Sequence, residues 1–226
     1  MKMRILLILV LLGFSARAGE PYFFTRENTL YYYERHKVNG GKLVQTTTME
    51  VGNIDTLGGV RKVNYAVTLR KANGKEILGG RAVQEVTILE NGNVETDFGA
   101  AVKGMILNMF PRTKITTTGI PAVLPLNMKP GDVLPDSHCT VSVNGLKLHI
   151  DVTARRVLRR ETITTPAGTF HCVVAREFKE ENGPMHHRTL WTDTWYAPGI
   201  GYVRHDDLDK NMIPETSEVL VRVTKF

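Results

Sequence analysis

The sequence predicts a mainly β protein: a curved antiparallel sheet forming an open or half β-barrel, closed by one short helix at about residues 98–110. Three observations predict it. Alternating apolar positions recur along most of the chain, as at Val63, Tyr65, Val67 and Leu69. Turn signals such as Asn39-Gly40-Gly41, Asn73-Gly74 and Asn144-Gly145 separate the alternating runs at hairpin length, which favours antiparallel pairing. A helical period occurs at one place in the mature chain, where Val102, Met105, Ile106, Met109 and Phe110 form a single apolar stripe. Strands this long and bent curl, and curling removes exposed edges.

The first 18 residues read as a cleaved leader. Lys2 and Arg4 make a basic start, Ile5 to Leu12 an apolar run, and Ala16-Arg17-Ala18 a small-residue cleavage site. The run is shorter than the roughly 20 residues a membrane-spanning helix needs, so no transmembrane segment is expected. No cysteine follows the site, so an exported, periplasmic or secreted protein without a lipid anchor is expected. Residues 19–226 are then a β-rich domain of a size that buries a substantial core. The formal charge of +6 falls to about +3 without Lys2, Arg4 and Arg17, which gives no footprint for nucleic acid.

In order along the chain, Thr29 to Lys37 and Lys42 to Val51 form a first hairpin. Val60 to Lys71 pairs with a strand that runs to Leu89 and is interrupted by a bulge at Gly79-Gly80. Asp97 is the expected helix N-cap and Pro111 the stop. Residues 111–135 carry Pro111, Pro121, Pro125, Pro130 and Pro135 and read as a long crossover, which leaves open a division of the domain into two halves. Cys139 to Val143, the long run Leu146 to Thr165, Phe170 to Lys179, Thr189 to Ala197, Gly201 to His205 and Val219 to Thr224 complete ten or eleven strands. Along the long run the apolar positions change from even to odd beyond Arg155-Arg156, which predicts a bulge. Pro166, Ala167 and Gly168 read as a three-residue turn with glycine at the left-handed position.

Glu161-Thr-Ile-Thr-Thr-Pro-Ala-Gly-Thr-Phe-His-Cys172, Trp195-Tyr-Ala-Pro-Gly-Ile-Gly-Tyr-Val-Arg204 and Gly131-Asp-Val-Leu-Pro-Asp136 resemble a TapB-like family of exported bacterial proteins of unknown function. The resemblance is strongest over residues 125–205. It implies a curved antiparallel sheet similar to the open barrels of lipoprotein-localisation factors, and it implies no residue roles.

The chemistry-bearing residues give modest signals. The two turn registers place Cys139 opposite Ile150 and Cys172 opposite Thr162, twelve residues apart on one strand. That is roughly 40 Å, against the ~7 Å between Cα atoms that a disulfide permits, so both thiols are expected free. His186-His187 and His205-Asp206-Asp207 are the nearest approach to a metal cluster, but His186 and His187 as strand neighbours point to opposite faces, Asp206-Asp207 read as a turn and no metal-ligand spacing occurs, so no metal and no cofactor are expected. Arg155, Arg156, Arg159 and Arg160 split between two faces by the same alternation and read as solvated positions, with an anionic lipid or glycan as the functional alternative. No G-x-S-x-G or other nucleophile motif occurs, so no catalytic residue is expected.

Trp191 and Trp195 share a strand face, and Met105, Ile106, Met109 and Phe110 line the helix, so these six are the candidate ligand-binding residues. The expectation is a non-catalytic domain that binds an apolar or amphipathic, lipid-like ligand in the concave face of its sheet. The alternatives are a structural or interaction module of the cell envelope, and a hydrolase of envelope polymers.

Overall fold

A computed structural model describes residues 19–184 and 186–226; the expected leader lies outside them. Before the helix come β1 (Thr29–Lys37), β2 (Leu43–Leu57), β3 (Val60–Lys71), β4 (Glu76–Ile88) and β5 (Val94–Thr96). Helix α1 (Phe98–Met109) follows. Then come β6 (Ile115–Ile120), β7 (Ala122–Leu124), β8 (Ser137–Val143), β9 (Leu146–Thr165), β10 (Gly168–Gly183), β11 (His186–Ala197), β12 (Gly201–Leu208) and β13 (Pro214–Lys225). Among the described residues all thirteen strands join one sheet in the order β6-β8-β9-β10-β11-β12-β13-β1-β2-β3-β4-β5-β7.

The sheet curls into a nearly closed barrel with one seam, because its two edges, β6 and β7, are consecutive in the chain and separated only by Pro121. The expected crossover therefore contains two strands that sequence reading missed. Their signals are weak: β7 has three residues, and β6 includes Gly119, where a Cβ would lie 2.1 Å from the His138 carbonyl oxygen. Only glycine lets β6 approach β8 so closely.

The seam is filled in two ways. Towards the Lys37 end of β1, α1 lies between β4 on one side and β6 and β8 on the other. Asp97 caps it as expected, its Oδ1 accepting from the Ala100 N–H at 2.9 Å. At its other end Asn108 Nδ2 donates to the Gly79 carbonyl at 2.9 Å. Towards the Thr29 end, the segment after β7 runs along β9: Gly131 N–H donates to Val157 O at 2.9 Å, Val157 N–H to Asp132 O at 2.8 Å and Leu134 N–H to Arg155 O at 2.9 Å.

Arg155 sits between these two fillers. The predicted phase change occurs at Ala154, whose φ is +50°, and it turns Arg155 inward, where the residue is 2% exposed. Arg155 is thus not a solvated strand position. Its Nη1 donates to Pro135 O at 2.6 Å and to Val123 O at 3.3 Å, and its Nε to Glu177 Oε2 at 3.2 Å. One buried guanidinium links β7, the crossover and β10. The cost of burying its charge is offset by pairing and by three hydrogen bonds.

The main core lies towards the Thr29 end. Tyr31, Tyr33, Val51, Val63, Ile88, Val94 and Leu220 are fully buried. Tyr22 and Phe24 add to this core from the N-terminal side, with the Phe24 ring 4.3 Å from that of Tyr31. A second core of Ile115, Cys139, Val141, Ile150 and Val152 receives Phe98, Val102, Ile106 and Leu107 of the helix. The stripe that packs is therefore displaced from the predicted one. It starts at Phe98, one turn earlier, and leaves Phe110 60% exposed at the helix C-cap.

Two register details differ from expectation. Gly168 pairs with Thr165, so the turn has two residues, and Cys172 faces Glu161 instead of Thr162. Cys139 faces Ile150. Both thiols are free and buried, and burial pushes them up to about 11 at Cys139 and about 12 at Cys172.

Candidate functional site

Alternation carries the inward face of the barrel from aromatic to charged as the strands approach the Lys37 end. On β1 the inward series is Tyr31, Tyr33 and Arg35; on β11 it is Thr194 and Thr192; on β12 it is Val203, His205 and Asp207. Cross-strand register aligns these into two adjacent polar rows. One runs Ala175, Thr194, His205, Glu218, Arg35 across β10, β11, β12, β13 and β1. The other runs Glu177, Thr192, Asp207, Thr216.

Arg35 is the hub. Its Nη1 donates to Asp207 Oδ2 at 2.6 Å and its Nη2 to Glu218 Oε2 at 3.0 Å. Glu218 also accepts from Thr47 Oγ1, and Asp207 accepts from Thr216 Oγ1 at 3.1 Å and lies 3.3 Å from His205 Nε2. Burial alone would raise the Asp207 carboxyl. The His205 hydrogen bond, the Arg35 charge and the Thr216 hydroxyl outweigh burial and hold it at about 2. Burial likewise opposes the charge on Arg35, and Glu218 and Asp207 overcome it. Beneath the rows Tyr33 stacks on Tyr202 at 4.6 Å, and burial pushes both hydroxyls well up.

Above this network a cavity of about 260 Å³ is lined by Arg35, Phe98, Val152, Glu177, Lys179, Arg188, Leu190, Thr192, His205 and Asp207. Lys179 pairs with Glu181 at 2.6 Å, while Arg188 stands 53% exposed with its Nη2 4.0 Å from Asp207. Two of the lining groups carry buried polar atoms with no hydrogen-bond partner among the described residues: Arg35 Nε and Thr192 Oγ1. An unpartnered buried donor costs about 1–3 kcal/mol, and native structures keep such atoms where a water, an ion or a ligand satisfies them.

A second, more open groove of about 760 Å³ lies at the other end, lined by Tyr22, Lys129, Arg160, Glu161, His171 and Cys172 among others. Several of its polar groups are engaged within the chain: Arg160 Nη2 with Met128 O at 3.3 Å, Thr162 with His171 at 2.8 Å, and Glu161 with Trp195 Nε1 at 2.9 Å. The mouth cavity is the better candidate, since charged side chains from β1, β10, β11 and β12 converge on it beside an apolar patch of Phe98, Val152 and Leu190.

The six residues expected to bind a ligand do not converge here. Ile106 turns into the second core, and Met109 lies over Gly79. Met105 is half-buried on the helix and Phe110 is exposed. Trp191 packs on Phe178 at 5.0 Å. Trp195 is 4% exposed beneath Arg204 and Arg159, which lie 4.5 and 5.6 Å from its ring centre. The two tryptophans occupy the sheet face opposite to Thr192 and Thr194.

Sequence reading missed the cavity because it placed Asp206-Asp207 in a turn. β12 continues to Leu208 and buries both carboxylates on opposite faces. Asp206 is held on the Trp195 face by Arg204 at 2.6 and 2.8 Å and by Ser217 Oγ at 2.6 Å. The parity was present in the sequence: His205 and Asp207 continue the inward series of Val203. Among the described residues no three His, Cys, Asp or Glu side chains group as metal ligands.

Residues 29–220 match a family model described as DUF3108-like. The motifs that resemble the TapB-like family fall inside that match. Two crystal structures are similar over 91% of this chain. One is of a protein from Bacteroides fragilis NCTC 9343, described as exported and of YmcC-like fold, with 22% identity, a TM-score of 0.71 and all of its chain covered. The other is of a protein from Parabacteroides distasonis ATCC 8503, described as a lipoprotein, with 19% identity, a TM-score of 0.72 and 99% of its chain covered. At these identities the likeness establishes the fold. None of the curated proteins matches the sequence.

Proposed function

The chain belongs to the DUF3108-like family, and on that premise we propose that it is an exported, non-catalytic binding domain whose site is the cavity at the barrel mouth. The observation that carries this reading is the cavity itself, where the charged Arg35, Asp207, Glu177, Lys179 and Arg188 converge with an apolar patch of Phe98, Val152 and Leu190. Deeper in the barrel, Tyr31, Tyr33 and their neighbours fill the interior. At about 260 Å³ the cavity lies just below the roughly 300 Å³ at which pockets for drug-sized ligands begin. It therefore takes a small molecule or the end of a larger amphipathic one, with Phe98, Val152 and Leu190 against the apolar part, and it does not take a whole lipid.

Export is supported by the leader-like residues 1–18 and by the exported and lipoprotein descriptions of the two similar structures. Among the described residues no helix is long and apolar enough to cross a membrane. Within the family, the TapB-like turn motifs support placing the chain with that group. A hydrolytic reading has less support, because the cavity carboxylates are committed: Asp207 to Arg35 and His205, and Glu177 to Arg155.

Native mass spectrometry of the exported protein, with Leu190→Trp to fill the cavity, tests the reading. A bound small molecule that the variant loses is expected. The same occupancy in both proteins would place the ligand elsewhere, and an empty wild type that no compound in a thermal-shift panel stabilises would refute binding at this site.

A further inference from the structure

Antiparallel order sends alternate connections of the sheet to the same end of the barrel. The β1–β2, β3–β4, β8–β9, β10–β11 and β12–β13 turns and the segment between α1 and β6 all lie at the Lys37 end, around the mouth. Neighbouring turns are tied together there. The Val38 N–H donates to Glu215 O at 3.0 Å, the Ala72 N–H to Val44 O at 3.1 Å and the Asn144 N–H to Lys114 O at 3.1 Å. Among the described residues eleven large apolar side chains are exposed, and six of them stand on or beside these turns: Val38, Val44, Phe110, Leu146, Met212 and Ile213.

Exposed cations are interleaved with them. Lys37 and Lys42 flank Val38, Arg112 follows Phe110, Lys147 follows Leu146 and Lys210 precedes Met212. Over residues 37–44, 71–76, 110–114, 144–147, 180–188 and 209–215 the chain carries nine Lys and Arg against five Asp and Glu. Two of those carboxylates, Glu76 and Glu181, are further held by Arg70 and Lys179 from outside these stretches. Residues 19–226 carry about +3 in all, so the excess of positive charge is gathered at this one end. Apolar side chains on turn tips beside flexible lysines match the interface of an anionic bilayer. The tips enter between the headgroups, and the ammonium groups stay level with the phosphates.

We infer that the Lys37 end of the barrel docks on the surface of an anionic phospholipid bilayer, which holds the cavity mouth against the lipid. The inference does not depend on a ligand in the cavity.

The test is sedimentation of the exported protein with two kinds of vesicle at low salt, one of phosphatidylcholine alone and one of phosphatidylcholine and phosphatidylglycerol in equal parts. Binding is expected to the anionic vesicles and to weaken as salt is raised. The Lys42→Gln, Lys210→Gln double variant removes two cations and is expected to bind about 30-fold more weakly. The Val38→Ser, Ile213→Ser double variant removes two apolar tips and is expected to bind about tenfold more weakly. Leu57 and Phe226 are exposed at the opposite end, and the Leu57→Ser, Phe226→Ser double variant is expected to bind as wild type. All these positions are exposed, and circular dichroism checks that each variant folds. Failure of the wild type to sediment with the anionic vesicles overturns the inference. So does equal binding to both kinds of vesicle, or a loss confined to the Leu57 and Phe226 variant. Immobilised polyglutamate is the remaining probe: if it retains the protein and the anionic vesicles do not, the surface fits an acidic protein and the bilayer inference falls.

Discussion

Replacing Arg155 by methionine tests how the barrel is held shut. The guanidinium is buried, and its charged partner among the described residues, Glu177, is 18% exposed at the side chain. Removing the charge leaves that carboxylate without its cation and leaves the carbonyls of Val123 and Pro135 without this donor. Breaking a buried pair from one side costs about 3–5 kcal/mol, a large part of the roughly 5–15 kcal/mol by which domains are stable. The Arg155→Met, Glu177→Met double variant removes both charges and keeps volume. It is expected to recover most of the loss and to retain a deficit of about 1–2 kcal/mol from the two carbonyls. Urea unfolding followed by circular dichroism measures both variants. Hydrogen exchange reports locally: in Arg155→Met the Gly131, Leu134 and Val157 amides, which hold the crossover to β9, are expected to lose protection before the rest of the sheet. A single variant less than about 1 kcal/mol below wild type, or a double variant no better than the single, would refute the seam role.

Three further predictions concern the β9 bulge, the helix cap and the barrel mouth. Ala154 has φ +50° and is exposed, so Ala154→Gly is expected to raise the unfolding free energy by about 0.5–1 kcal/mol in the same urea assay. Asp97→Ala removes the helix cap and is expected to cost about 1 kcal/mol, with exchange accelerated first at the Ala100 and Ala101 amides. The Asp207 carboxyl is held at about 2 against an ordinary value of 3.8. Because the folded value is the lower, its stabilisation, about 2 kcal/mol, is complete above about pH 4. It is lost as pH falls through 2. Asp207→Asn is expected to remove that part of the acid limb when urea midpoints are compared between pH 5 and pH 2.

Much of the architecture was legible because it is local. Period-2 runs and Asn-Gly turns mark β1 to β4 and β8 to β12, the N-cap Asp97 marks the start of α1, and the parity change near Arg155 marks the bulge at Ala154. The helix stripe was half legible: Val102 and Ile106 pack as the period suggests, but Phe98 lies upstream of the stripe that was recognised. The short edge strands β6 and β7 were not legible. Three to six residues carry little pattern, and what makes them strands is the neighbour each one meets.

The sequence by itself determined that the chain is a barrel-forming series of antiparallel hairpins with one helix, since alternation, turn chemistry and capping act between residues close in the chain. Only the tertiary structure decided what the barrel mouth contains. Arg35 reads alone as a surface charge, and it is an inward residue because Asp207 and Glu218, 172 and 183 positions away, meet it across β12 and β13. A buried charge is tolerable only with its partners in place, and those partners are brought by sheet order and register, which no local pattern states.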